Sequence, residues 1–184
     1  DPLPTALFPA SLPGATLSVA APLPQHWMAG QRLHLRSPLG HGFSLPANSR
    51  RVALASLSIN AERLLPLIKL ALKQSASVAF YTNTPPSTLP PEVEILPLDE
   101  LHDASGWADY LALDLPASRL AELPDLLGLA HGKQYSCPAD VLVLTDMPCA
   151  GHAQCGLCSV FTKKGWKLAC QDGPVFDLNL LREK

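Results

Sequence analysis

Four of the chain's five cysteines fall in one short stretch, spaced Cys149-x5-Cys155-x2-Cys158-x11-Cys170. Disulfides that staple a small domain are spread along a chain, whereas a local cluster of thiols suits a metal or an iron–sulfur centre. A 2Fe–2S cluster needs four deprotonated thiolates. Cys155-Gly156-Leu157-Cys158 puts two of them on one tight loop. Cys149 reaches them across Ala150-Gly151-His152-Ala153-Gln154, and Gly151 and Gly156 permit the backbone angles of a wrapped loop. Such a loop also aims amide N–H groups at the sulfurs. Residues 159–162, a turn at Lys163-Lys164-Gly165 and residues 166–169 read as a hairpin, which returns Cys170 to the side of Cys158. The lysines at 163, 164 and 167 are available to moderate the negative charge of a ligated cluster. Four cysteines also suit one structural zinc ion, but zinc sites usually show two short C-x2-C knuckles and this chain has one. Two disulfides or unligated core thiols are the remaining alternatives. Cys137 stands apart in Tyr135-Ser136-Cys137-Pro138 and reads as an incidental or buried thiol.

The 184 residues suffice for one domain or two small ones. A net charge of −2 with no long basic run gives no sign of a nucleic-acid partner, and no stretch approaches the length of a membrane span. Nineteen prolines, dense before residue 46 and between Pro85 and Pro97, favour extended, turn-rich backbone there. Within 1–46, residues 15–19 and 32–36 alternate as half-buried strands do. From Arg51 the pattern changes. Residues 51–57, 77–81, 93–97, 107–113 and 141–145 read as strands, with a helix over 63–73 capped by Asn60 and another over 118–127. Strands alternating with helices predict a small α/β unit with a largely parallel sheet. Three units follow: 1–46, rich in short β segments; 47–145, the α/β unit; and 146–184, the cysteine-rich unit.

Met147-Pro148-Cys149 through Cys158, followed by Cys170-Gln171-Asp172-Gly173-Pro174-Val175-Phe176-Asp177, resembles the C-terminal cluster domain of the dihydroorotate dehydrogenase B-type electron-transfer subunit. That family is ferredoxin-reductase-like: a flavin-binding β-barrel, a nucleotide-binding α/β domain, then a 2Fe–2S domain. Its members pass electrons between a partner FMN subunit and NAD through FAD and the cluster. Ser37-Pro38-Leu39-Gly40-His41-Gly42-Phe43 resembles the segment that leads from barrel to nucleotide domain. The resemblance implies Cys149, Cys155, Cys158 and Cys170 as cluster ligands, a remnant of the barrel in 1–46, and a nucleotide-type fold in 47–145.

The departures matter as much. Residues 1–46 are about half the length a flavin barrel needs, and the family's Arg-x-Tyr-Ser/Thr flavin signature does not occur. The glycine-rich turn that brings backbone against a pyrophosphate is replaced by Ala55-Ser56-Leu57-Ser58-Ile59-Asn60-Ala61, whose side chains take the space of the phosphates. The family's Cys-Gly-Pro nucleotide motif is replaced by Leu113-Asp114-Leu115-Pro116. The expectation is a nucleotide fold retained as a scaffold without NAD, and FAD left to an earlier segment or a partner chain.

His34, His41 and His152 read as surface or loop residues, with His152 placed to influence the cluster from inside its loop. Trp166 reads as a cover over the cluster, and Asp172 and Asp177 as turn supports. Lys163-Lys164 reads as a solvated tip open to an acidic partner. No hydrolase elbow, phosphate-binding loop or zinc-protease motif is present. The expected function is single-electron transfer between a flavoprotein or oxidoreductase partner subunit and another carrier. The setting is a reducing cytoplasm, with self-association open. The rival reading is a non-redox assembly module with structural zinc or a structural cluster. A third is a complete flavin- and nucleotide-dependent reductase.

Overall fold

A computed structural model of the protein describes residues 3–130 and 133–181. The outermost ends of the first and third predicted units, at 1–2 and 182–184, lie outside the described residues.

The α/β unit forms from runs that are apolar on both sides, as strands covered on both faces must be. β1 (Arg51–Ser56) is buried from Val52 onward. α1 (Leu65–Lys73) follows and turns Leu65, Leu67, Ile68 and Ala71 inward. β2 (Ser77–Tyr81) and β3 (Val93–Leu96) extend the sheet on one side of β1. The chain then crosses through a 3-10 turn and α2 (Ala104–Trp107) to β4 (Tyr110–Pro116) on the other side of β1. A 3-10 stretch and α3 (Leu123–Leu126) lead to β5 (Ala139–Leu144). These five strands are parallel, in the order β3-β2-β1-β4-β5. The hairpin β6 (Ser159–Thr162) and β7 (Gly165–Leu168) forms a separate two-stranded sheet. β8 (Val175–Asp177) then returns to the large sheet, antiparallel to β5.

The sheet is covered on both faces. One face packs Val52, Leu54, Phe80 and Tyr110 against Leu64 and Ile68. The other packs Leu111, Leu113, Leu115, Val141 and Val143 against Leu101, Leu123 and Leu127. Cys158, Val160, Ala169, Cys170 and Phe176 belong to that second core. The cysteine segment therefore shares its apolar interior with the parallel sheet.

Several sequence expectations are corrected. Residues 15–19 and 32–36 are not strands. Among the described residues of 3–46, regular pairing is confined to single bridges, Pro9 with Val19 and His41 with Pro174. Arg32–Arg36 alternation lies wholly on exposed backbone, so no buried face exists to fix it as a strand. The helix expected over 63–73 becomes regular only at Leu65. Asn60 Oδ1 accepts the Glu62 amide at 3.1 Å, and a 3-10 turn over Glu62–Leu64 precedes Pro66, whose missing N–H suits a first turn. The helix expected over 118–127 is a 3-10 stretch, Ala117–Glu122, and one α turn. Pro124 has no N–H to give the Leu120 carbonyl and breaks the ladder. Trp107 ends α2, and the strand begins at Tyr110. Asp109 just before it accepts the amides of Arg50 and Arg51 at 3.0–3.2 Å, which sets the start of β1 beside β4. β8 was not expected, since three residues are too few to show a period.

Among the described residues, no helix is long and apolar enough to cross a membrane. Ile68 is fully buried between α1 and the sheet. Ile68→Ala removes apolar area and leaves a cavity, so stability falls by about 2–5 kcal/mol. The check is urea unfolding at equilibrium; a loss below about 1 kcal/mol contradicts this packing.

Candidate metal centre

The loop between β5 and β6 is wound tightly. Ala150, Gly151, Ala153 and Gly156 all have left-handed backbone, with φ of 51°, 73°, 60° and 72°. For the two alanines this conformation costs about 1–2 kcal/mol each. It also turns amide N–H groups to one side, as in an anion-binding nest. The Cys149 sulfur receives the amide of Gln154, the thiol of Cys155, and the amides of Cys155 and His152. These donors, Gln154 foremost, pull the Cys149 thiol down to about 6. The Ala153 amide points at the Cys170 sulfur. Left-handed backbone and convergent donors are one arrangement: the winding costs energy, and the hydrogen bonds to sulfur offset it.

The hairpin brings the last two cysteines together as the sequence predicts. Ala169 N donates to the Cys158 carbonyl at 2.9 Å, and the Cys158 and Cys170 sulfurs lie 3.4 Å apart, both buried. Burial first, and the neighbouring Cys158 thiol second, push the Cys170 thiol up to about 11. Without a cation the Cys170 sulfur is held as a thiol; a cation would displace its proton. Cys149 is half-buried and Cys155 exposed. The thiols thus stand as two pairs, Cys149 with Cys155 and Cys158 with Cys170. Among the described residues no group of three or more His, Cys, Asp or Glu gathers around a single-ion position. Cys137 lies at the foot of β5, and burial raises its thiol.

The hairpin itself is held by short-range polar contacts. Thr162 Oγ1 donates to the Gly165 carbonyl at 2.8 Å and accepts the Lys164 amide at 3.2 Å. Asp172 accepts the Leu168 amide at 2.9 Å and pairs with Lys167 at 3.2 Å. Asp177 accepts the Asn179 amide at 2.8 Å, so both aspartates support turns as expected. Lys167 is thereby tied to a carboxylate. Trp166 is two-thirds exposed on the outer side of the hairpin, tilted against Phe161 at 5.0 Å between rings.

A second support was not visible in the sequence. The loop 37–43 docks onto the cysteine segment. His41 N donates to the Gly173 carbonyl, and Val175 N donates to the His41 carbonyl at 3.4 Å. Gly40 has φ +59°, and a Cβ there would run into the Gly173 carbonyl. Leu39 lies so close over Gly151 that a Cβ on Gly151 would approach its Cδ2 at 2.5 Å. Arg36 Nη1 meets His152 Nδ1 at 2.8 Å. Arginine is always a donor, so Nδ1 accepts and the ring proton sits on Nε2. The two glycines of the loop were the available signal; their partners, over a hundred residues away in sequence, were not. His41 contributes backbone, and His34 is exposed.

Residues 147–182 match the family described as the iron–sulfur cluster binding domain of dihydroorotate dehydrogenase B. Comparison with curated proteins gives no significant match. Among solved structures, a chain reported under flavin-based electron bifurcation by the NADH-dependent reduced ferredoxin-NADP oxidoreductase superposes with a TM-score of 0.59 at 17% identity. The alignment covers 80% of this chain and 59% of that one. At that identity the likeness shows the fold alone: a mostly parallel α/β sheet. The protein spans about 59% of the length of that relative.

Two outcomes follow. In the metal-free chain, iodoacetamide should modify Cys149 with a rate midpoint near pH 6, because its thiolate is already formed at neutral pH. A midpoint near the ordinary thiol value of about 8.5 would contradict the amide nest. Gly40→Ala should lower stability by about 1–3 kcal/mol, through strain and the clash with Gly173. Limited proteolysis should then cut first within 149–158; unaltered digestion would show that the loop 37–43 is not a support.

Proposed function

From a chain whose C-terminal segment is of the dihydroorotate dehydrogenase B iron–sulfur type, we propose that the protein is an electron-transfer subunit. In this reading Cys149, Cys155, Cys158 and Cys170 hold one 2Fe–2S cluster. The observation that carries it is the pairing of the sulfurs under convergent amides. A two-iron cluster takes two thiolates at each iron, and two pairs suit it where one tetrahedral ion wants four sulfurs around one point. When bound, the cluster would supply uptake and release of one electron at a time.

The protein's own residues do the rest. The amides of His152, Gln154 and Cys155 face Cys149 and favour negative charge on its sulfur, in the direction that raises a reduction potential. Cys158 and Cys170, buried in the second core, sit on the dry side. Cys155 is exposed, which makes its edge the natural approach for a partner. Leu157 beside it is two-thirds exposed. The partner is a flavoprotein or another oxidoreductase subunit, and the setting is a reducing cytoplasm. The units 1–46, 47–145 and 146–184 act as an N-terminal segment, a scaffold and a cluster carrier. The scaffold binds no NAD, and FAD, if used, belongs to another segment or chain.

Anaerobic reconstitution with iron and sulfide tests the reading. It should give two irons and two acid-labile sulfides per chain, visible absorption, and a spin-half EPR signal on reduction. Cys158→Ala and Cys170→Ala should each cut iron content at least about tenfold. One zinc per chain with no sulfide would favour the assembly-module reading instead.

A further inference from the structure

In an open α/β sheet the ligand crevice lies beyond the carboxyl ends of the strands, where the chain's winding reverses. Here the reversal is between β1 and β4, since β1 leads to β2 on one side and β4 lies on the other. Ser56 and Asp114 end up as register partners at that point. Asp114 is fully buried. A bare carboxylate there would repel a pyrophosphate and would itself be costly to bury.

Arg63 answers that charge from within the chain. Its Nε donates to both Asp114 oxygens, at 3.2 and 3.1 Å. Nη2 donates to Ser58 Oγ at 2.5 Å and to the Asn60 carbonyl at 2.8 Å. Ser56 Oγ donates to Asp114 at 3.4 Å. Only 5% of the Arg63 side chain remains exposed. The remaining nitrogen, Nη1, donates to the Ala21 carbonyl at 3.2 Å. The preceding residue, Glu62, takes the other backbone polar group of the same residue, accepting the Ala21 N–H at 3.4 Å. Adjacent side chains therefore grip both backbone groups of Ala21.

The gripped segment is folded on itself. Ala10 N donates to the Ser18 carbonyl at 2.9 Å, and Ala20 N to the Phe8 carbonyl at 2.8 Å, around the Pro9–Val19 bridge. Ala20 is buried, and the Phe8 ring lies 5.8 Å from the Arg63 guanidinium carbon. The cation, its counter-charge and its backbone acceptors are all supplied by the chain itself. Each nitrogen of the guanidinium has an acceptor from the chain itself.

We infer that the switch-point crevice is a binding site for the chain's own residues 8–21, with Arg63 as the anchor, and that this strap occupies the place of a nucleotide. The inference deepens the reading that the scaffold binds no NAD, and it is independent of what the cysteines hold. Closing the crevice leaves the cysteine edge as the route for electrons. The strap also gives the N-terminal segment a role that its lack of strands otherwise leaves open.

Hydrogen exchange read by mass spectrometry on the full chain, paired with an NADH titration followed by fluorescence, tests it. Peptides over 8–21 should be protected in the wild type. Arg63→Met/Asp114→Leu removes both charges together, so that neither is left buried alone. In that variant exchange over 8–21 should quicken by about tenfold or more, while β1 and β4 stay protected. Glu62→Ala, which spares the buried pair, should quicken it by a smaller factor and decides the matter if the double variant does not fold. Wild-type exchange over 8–21 as fast as free coil, or protection unchanged in the variants, overturns the strap. No saturable NADH binding is expected of the wild type. Saturable binding overturns both the strap and the nucleotide part of the function reading; an unprotected 8–21 without NADH binding overturns the strap alone.

Discussion

The antiparallel pairing of β8 with β5 is the interaction on which the arrangement of the cysteines depends. Val175, Phe176 and Asp177 lie against Leu142, Val141 and Asp140. This pairing brings the chain back to the parallel sheet only five residues after Cys170. Phe176 fills the core beneath, close enough to Gly173 that a side chain there would strike its ring. With both ends of the cysteine segment tied to β5, the loop and hairpin between them close over a short path. A short closed path loses less conformational entropy on ordering than a free tail of the same length.

That tether lets the loop hold strained backbone. Ala150 and Ala153 would not adopt left-handed angles in an unconstrained chain. The loop 37–43 adds a second restraint from outside, through Leu39 over Gly151 and Gly40 against Gly173. The amides that face Cys149 are therefore positioned before any metal arrives. Preorganised dipoles of this kind need no rearrangement when charge appears, which is the condition for fast electron exchange. The same loop links the cysteine segment to the N-terminal segment, so three stretches of chain meet around one small group of sulfurs.

The strand order puts the switch point between β1 and β4, and Arg63 and Asp114 form a buried ion pair there. A buried pair is weak evidence for stability, because desolvation consumes most of the attraction. Its value lies in specificity: among the described residues Asp114 pairs with one cation, Arg63, which reaches one backbone carbonyl of the N-terminal segment, that of Ala21. Burial drives the Asp114 carboxyl up to about 6, and Arg63 and Ser56 oppose that rise. The group is therefore still ionised at neutral pH and still holds Arg63.

The cysteine spacing, the β6–β7 hairpin and the run of buried strands were legible because each is local. Thiols two residues apart share a loop, Lys163-Lys164-Gly165 carries its own turn chemistry, and Val141–Leu144 is apolar throughout. Residues 15–19 and 32–36 showed the alternation of strands without a sheet to complete them; a period of two is only a request for a partner. Beyond local pattern, tertiary structure decided the outcome. β8 exists because β5 offers an open edge, and Arg63 pairs with a carboxylate 51 residues away. Whether the loop 37–43 leads into a second domain or lies on the cysteine segment depended on contacts with Gly151 and Gly173, which no window of sequence contains. Sequence sets what each stretch can form alone; burial and charge compensation between distant stretches select among those options.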